Sequence, residues 1–206
     1  MSRADQEKWD ARFAGKPKCT PKPPGFISER STALPEGGRV LDVACGDGAA
    51  ALFWAQGVEG HERGVCGVVR DVVAADISVE GLKRLERFSI EQGLSIRCLQ
   101  VDLDDLDAIK RLRADNAAGF DIISVCHFKP SQPQLHLLFD LLGPGGHLLL
   151  TTFNEQHHAE NGFSLRFCLA PSEFLATPEA IECVLYQSVE RSGGFMDDYH
   201  FVKSLP

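Results

Sequence analysis

The sequence has no closely spaced cysteines. Seven stand at positions 19, 45, 66, 98, 126, 168 and 183, and the shortest gap, between 168 and 183, is 15 residues. No CxxC pair or zinc knuckle can be built from that spacing. Positive charge is also scarce: 21 Lys and Arg against 29 Asp and Glu leave a net charge of -8. Such a balance argues against a nucleic-acid partner, which usually selects a basic surface. No apolar run approaches the roughly 18 residues that would span a bilayer. The first residues, Met-Ser-Arg-Ala-Asp-Gln-Glu-Lys, form no apolar signal core. These features together predict a reduced, cytoplasmic protein with no membrane partner and no bound metal.

What is present is an ordinary globular composition, 44% hydrophobic and 24% charged over 206 residues. That length suits one domain with a small appendage. The appendage is predicted at residues 1–38, with the main domain at 39–206. Gln6 to Phe13 can form a short helix with Trp9 and Phe13 on one face. Lys16 to Gly25, KPKCTPKPPG, is too rich in proline for helix or central strand and predicts an extended arm.

From Arg39 onward, short apolar runs alternate with helical patterns. Strands are predicted at Arg39–Val43, Val72–Asp76, Ile96–Val101, Phe120–Cys126 and His147–Phe153. Between them lie helices over Asp47–Gln56 and Ser78–Ile90, then one marked by Leu106, Ile109 and Leu112. Leu135, Leu138, Phe139 and Leu142 mark another, which Gly143-Pro144-Gly145-Gly146 is expected to end. Such alternation implies an α/β fold with a doubly wound, mostly parallel sheet. Gly57–Arg70 is expected to be an extra loop. Ile181–Glu190 and Met196–Lys203, separated by Ser192-Gly193-Gly194, predict an antiparallel C-terminal hairpin.

Ligands of open α/β sheets bind at the carboxyl ends of the strands. The residues there are Ala44-Cys45-Gly46-Asp47-Gly48, Asp76, Asp102 and Cys126-His127. Gly46 and Gly48 allow a sharp turn and a close ligand, at a helix N-terminus that suits an anion. Gly46-x-Gly48-x-x-Ala51 also fits a relaxed dinucleotide fingerprint. Asp76 can accept bonds from two ribose hydroxyls or cap the helix after it. Asp102 can accept from an adenine amino group or act as a cap. His127 can take a proton from an acceptor or simply line the pocket. Cys45 and Cys126 are expected to line the pocket rather than act as nucleophiles. His157 and His158, beside Glu155 and Glu160, are expected in a solvated loop.

Taken in order, LDVACGDG, VVAADIS, LQVDL, FDIISVC and LLGPGGHLLLTTF resemble the motifs of class I, Rossmann-like S-adenosylmethionine-dependent methyltransferases. One departure is Ala44, where that family has its first loop glycine. Trp9-Asp10-Ala11-Arg12-Phe13, HFKPSQPQL and FCLAPSEFL are similar, more narrowly, to the tellurite-resistance and thiopurine methyltransferase-like branch. The resemblance implies a seven-stranded sheet, S-adenosylmethionine as cofactor, and direct in-line methyl transfer to a small molecule, with a protein side chain as second choice. It implies that the N-terminal helix and arm cap the cofactor, so that Trp9 and Arg12 join the pocket. Asp42 would orient the amino end of the cofactor, beside Ala44, Cys45, Gly46 and Gly48. Asp76 would hold the ribose, Asp102 and Leu103 the adenine, and Ile77 and Cys126 would line the cofactor site. A methyltransferase-like binding protein without catalysis, and a nicotinamide-dependent oxidoreductase, are the competing classes.

Overall fold

Each central strand is apolar on both sides because each is covered on both sides. The computed structural model describes residues 3–57, 70–114, 117–191 and 193–205. The elements run α1 (Arg3–Ala14), α2 (Gly25–Arg30), β1 (Arg39–Val43), α3 (Ala49–Gln56), β2 (Asp71–Asp76), α4 (Val79–Glu91), β3 (Ile96–Gln100), α5 (Leu106–Ala114), β4 (Phe120–Cys126), α6 (Gln132–Leu141), β5 (Leu142–Phe153), α7 (Glu155–Asn161), β6 (Ile181–Arg191) and β7 (Gly194–Lys203). The sheet has seven strands in the order β3-β2-β1-β4-β5-β7-β6. Strands β1 to β5 pair in parallel, and β7 pairs antiparallel with both β5 and β6. The expected doubly wound sheet with a C-terminal hairpin is the fold observed. Chain order reverses between β1 and β4, which opens a crevice above their carboxyl ends.

Alternate strand residues feed two cores. Val40, Val72, Ala74, Ile122 and Leu149 meet α2, α3 and α4 through Phe26, Ile27, Trp54, Leu85 and Phe88. Leu41, Val43, Ile123, Val125, Leu148 and Leu150 meet α5 and α6 through Ile109, Leu112, Leu135, Leu138 and Phe139. Burying side chains of this size contributes roughly 1.5–3 kcal/mol each. This burial fixes which face each strand residue takes, and hence which residues end at the crevice.

Three expectations change. Residues Gly143–Gly146 lie inside β5 rather than before it. Phe120 pairs with Leu142 and Ile122 with His147, so these residues are absorbed as an irregularity in the ladder. The stretch expected as a solvated loop around His157 and His158 is helix α7. Its N-cap Asn154 accepts from the His157 amide, and His157 is buried with its ring stacked 4.2 Å from Phe153. Helix α2 follows the proline-rich arm, where no second helix is expected from the sequence; Phe26 and Ile27 are its buried anchors. Most of the expected extra loop Gly57–Arg70 lies outside the described residues.

Candidate active site

The turn from β1 into α3 passes through three left-handed residues, Ala44 (φ 53°), Gly46 (φ 55°) and Gly48 (φ 84°). Alanine keeps the backbone shape here despite the penalty of that conformation. The two glycines answer first to the chain's own packing. A Cβ on Gly46 would stand 2.6 Å from the Phe13 ring, and one on Gly48 would stand 2.2 Å from a Leu85 methyl.

Two buried carboxylates brace this loop. Asp42 Oδ2 accepts from the Ala51 amide at 3.0 Å, and Oδ1 accepts from the Ser124 hydroxyl at 2.7 Å. Ser124 in turn accepts from the Trp54 indole at 3.1 Å. Burial raises the Asp42 pKa to about 7. Asp76 ends β2, and its Oδ2 accepts from the Gly46 amide at 2.8 Å while Oδ1 accepts from the Ser78 amide at 2.7 Å. Burial raises its pKa as well. The cap of α4 is Ser78, whose hydroxyl accepts from Gly81 at 3.0 Å. Asp76 therefore clamps the glycine loop and leaves the capping to its neighbour.

The N-terminal segment closes over this floor. Asp10 accepts from the Ser78 hydroxyl at 2.6 Å and from the Glu80 amide at 3.0 Å, so it extends the cap of α4 from another helix. Phe13 packs onto Gly46 and Gly81. Lys16 donates to Asp47 at 3.0 Å. The buried Arg84 reaches Asp47 at 3.4 Å and donates to the carbonyls of Lys16 and Pro17 at 3.2 and 2.7 Å.

A cavity of about 450 Å³ lies between floor and roof. Of the residues expected from sequence, Trp9, Arg12, Asp42, Ala44, Cys45, Gly46, Asp76, Ile77, Cys126 and His127 line it together. Gly48, Asp102 and Leu103 are not among the lining residues. Gly48 starts α3 against Leu85, and Leu103 is buried in the core against α5 and α6. Asp102 accepts from the Asp104 amide at 2.9 Å. Asp47, from the glycine loop that the sequence marks, lines it too; lining residues that the motif reading missed are Phe13, Lys16, Ala49, Ala50, Phe128, Phe153 and Phe163, together with Pro21, Lys22 and Pro24 of the arm. Two signals were available in the sequence: Phe13 shares a helical face with Trp9, and Phe153 ends a parallel strand. Nothing in the pattern marks Phe163.

One end of the cavity is aromatic. The His127 ring lies 5.5 Å from Phe153, and Phe163 lies 4.8 Å from Phe153. His127 itself is left-handed (φ 56°), and its amide donates to Thr151 O at 2.8 Å. Such strain in a non-glycine residue is often associated with a functional site. Its pKa is lowered by burial and then by the cations Lys16 and Arg12, so the imidazole is neutral at neutral pH. Burial pushes the thiols of Cys45 and Cys126 well up, so neither is a thiolate nucleophile. Among the described residues, no three His, Cys, Asp or Glu side chains gather as a metal site. None of the described helices is long and apolar enough to cross a membrane.

A glycine turn, an acid ending the next strand and a roofed crevice at the chain reversal are now in place. A family model described as a methyltransferase domain matches residues 20–178. The chain belongs to that methyltransferase family. It is 29% identical over 150 residues to a ubiquinone biosynthesis O-methyltransferase of Xanthomonas axonopodis pv. citri, covering 71% of this chain and 56% of that protein. It is 27% identical over 124 residues to phosphoethanolamine N-methyltransferase 3 of Arabidopsis thaliana, covering 58% of this chain and 22% of that protein. The chain thus spans about half, or less, of the curated relatives it matches. Among solved structures, TehB from Haemophilus influenzae superposes with a TM-score of 0.69 at 14% identity, covering 95% of this chain and 67% of that one. At that identity the likeness speaks to the fold. The methyl donor of the family is S-adenosylmethionine.

Proposed function

We propose that this methyltransferase domain moves a methyl group from S-adenosylmethionine to a small-molecule acceptor. The observation that carries the reading is the pairing of Asp76 with Gly46 beneath a roofed cavity at the β1–β4 crevice. The donor set fits the cofactor. Asp76 retains acceptor capacity for ribose hydroxyls after its two amide bonds. Asp42, Ala44, Cys45 and Gly46 offer a polar cradle for the amino-acid end, and Ile77 an apolar face for the base. Adenine contacts by Asp102 and Leu103 rest on the family resemblance alone.

When bound, the cofactor supplies an activated methyl on a sulfonium. The chain supplies position and dryness. Trp9 and Phe13 roof the cavity, while Phe128 and Phe153 wall the end where an acceptor would lie. Neutral His127 can receive a proton from an acceptor that must lose one; an acceptor already ionised needs no such help. Of the segment 1–38 expected as the cap, the part up to Pro24 acts as the cap in this reading, while α2 is anchored in the core through Phe26 and Ile27. A reducing, cytoplasmic setting suits the six described free thiols.

The test is binding of S-adenosylhomocysteine by titration calorimetry. At 100 times its dissociation constant the ligand should add about 2.7 kcal/mol of stability. Absence of binding, or preference for NAD, would overturn the cofactor assignment.

A further inference from the structure

Charge is segregated in this protein, and the division runs through the cavity. Residues 1–38 hold seven Lys and Arg against five Asp and Glu, a net of +2; the remaining residues hold 14 against 24, a net of -10. The carboxylates of the cavity wall, Asp42, Asp47 and Asp76, belong to the floor, and each is engaged by protein donors. The roof contributes Arg12, Lys16 and Lys22. Lys16 is paired with Asp47. Among the described residues, Arg12 and Lys22 have no carboxylate at ion-pair distance.

Cations already stand over the roof ring Trp9 and over Phe167 beside the cavity. Lys8 lies 5.7 Å over Trp9 and 5.5 Å over Phe167, Arg12 lies 5.1 Å over Trp9, and Arg166 lies 4.2 Å over Phe167. Phe167 adjoins the cavity residue Phe163 at 6.1 Å. The nearby acids are committed: Asp5 lies 3.8 Å from Arg166, and Asp10 is bonded to Ser78 and Glu80. An aromatic wall free of cations would welcome an ammonium group. Here Lys8 and Arg12 stand over Trp9, Lys8 and Arg166 stand over Phe167 beside the cavity, and Asp5 and Asp10 are engaged, so this side of the cavity repels a cation and attracts an anion.

We propose that the acceptor is a flat, apolar molecule carrying an anionic group, its ring held against Phe153 and Phe163 and its anion facing Arg12 and Lys22. This rests on the methyl-transfer reading above. It sets an electrostatic sieve: acids enter, uncharged analogues bind more weakly, and amines are turned away.

The experiment uses the full chain saturated with S-adenosylhomocysteine and three probes of one shape: 2-naphthoate, 2-naphthamide and protonated 2-naphthylmethylamine. Titration calorimetry should give 2-naphthoate at least a tenfold lower Kd than the amide, with no detectable binding of the amine. In Lys22→Glu the acid-to-amide preference should fall at least fivefold. Equal binding of the three probes, binding of the amine as tight as that of the acid, or binding of none would overturn the proposal. So would a Lys22→Glu chain that loses S-adenosylhomocysteine affinity while its acid preference stays intact, because the cations would then serve the cofactor's own carboxylate. Failure of S-adenosylhomocysteine to bind the unaltered chain would be a different result, overturning the methyl-transfer reading from which this inference starts.

Discussion

The floor and the roof of the cavity are built by different means. The floor is woven into the sheet. Asp42 and Ser124 lie opposite each other on neighbouring parallel strands, and their polar atoms are satisfied within an otherwise apolar layer of Trp54, Ile122 and Leu149. The roof joins no sheet. It is held by side chains: Asp10 at the start of α4, Phe13 over Gly46, and the Lys16–Asp47–Arg84 cluster. A floor set in the core should fail only with the whole fold, whereas a roof attached by a few side chains can open while the fold stays intact.

The hardest blow to that contrast is Asp42→Ala. It strands the Ala51 amide and leaves the Ser124 hydroxyl without its acceptor, both inside the core. Unsatisfied buried groups cost about 1–3 kcal/mol each, so a loss of about 3 kcal/mol in urea unfolding is expected. A loss below 1 kcal/mol would show that the floor is not braced through Asp42.

Arg84→Met should do the reverse. It removes the fork that grips Asp47 and the Lys16 and Pro17 carbonyls while keeping most of the apolar stem. The expected result is a tenfold faster release of S-adenosylhomocysteine in stopped flow, equivalent to about 1.4 kcal/mol, with the unfolding transition moved far less than in Asp42→Ala. Equal damage to release and to global stability would mean that roof and floor unfold as one unit.

Titration separates the two regions more gently. Asp42 has a folded pKa of about 7 against an ordinary 3.8, so the folded state holds a proton that the unfolded chain releases. Its contribution therefore improves as pH falls through 7 and is lost as pH rises through that value. Asp10, in the roof, goes the other way. Burial works against its charge, but the Ser78 hydroxyl and the Glu80 amide hold its pKa below the ordinary value, so its contribution is present at neutral pH and is lost only in strong acid. Moving from pH 8 to pH 6 should thus favour the floor by about 1 kcal/mol and leave the roof contact unchanged. Asp42→Asn should abolish that gain in paired urea titrations; if the gain persists, another group titrates there.

The sequence was most informative where periodicity exists. Strands covered on both faces and helices with repeating leucines declared themselves, and so did the acid that ends β2. What stayed hidden depends on residues far apart in the chain. Asp42 meets Ser124 across 82 positions and Arg84 meets Asp47 across 37, and no local pattern predicts either pair. The polar helix α7 lacks an apolar stripe, so its one buried histidine looked like a loop residue. Phe163 reaches the cavity from an irregular segment that carries no period at all. The segregation of charge was present in the composition, but it acquires meaning only once the fold sets the basic segment over the acidic floor.

The smallest effect lies in the floor's one visible departure from its family. Ala44 sits at φ 53°, where an L-residue pays roughly 1–2 kcal/mol relative to glycine. Ala44→Gly would relieve that strain. It would also free the unfolded chain, which costs about 0.4–1 kcal/mol, and it would remove a methyl partly packed on the core beside Val43. Burying one such group is worth up to about 0.8 kcal/mol. These contributions nearly cancel, so the variant should lie within about 1 kcal/mol of the parent, with cofactor affinity preserved because the backbone shape is the same. A loss of 2 kcal/mol or more in urea unfolding would show that the alanine methyl is itself a structural contact of the floor. The turn would then tolerate alanine because the neighbouring core requires that methyl, and the left-handed backbone would be a cost the packing more than offsets.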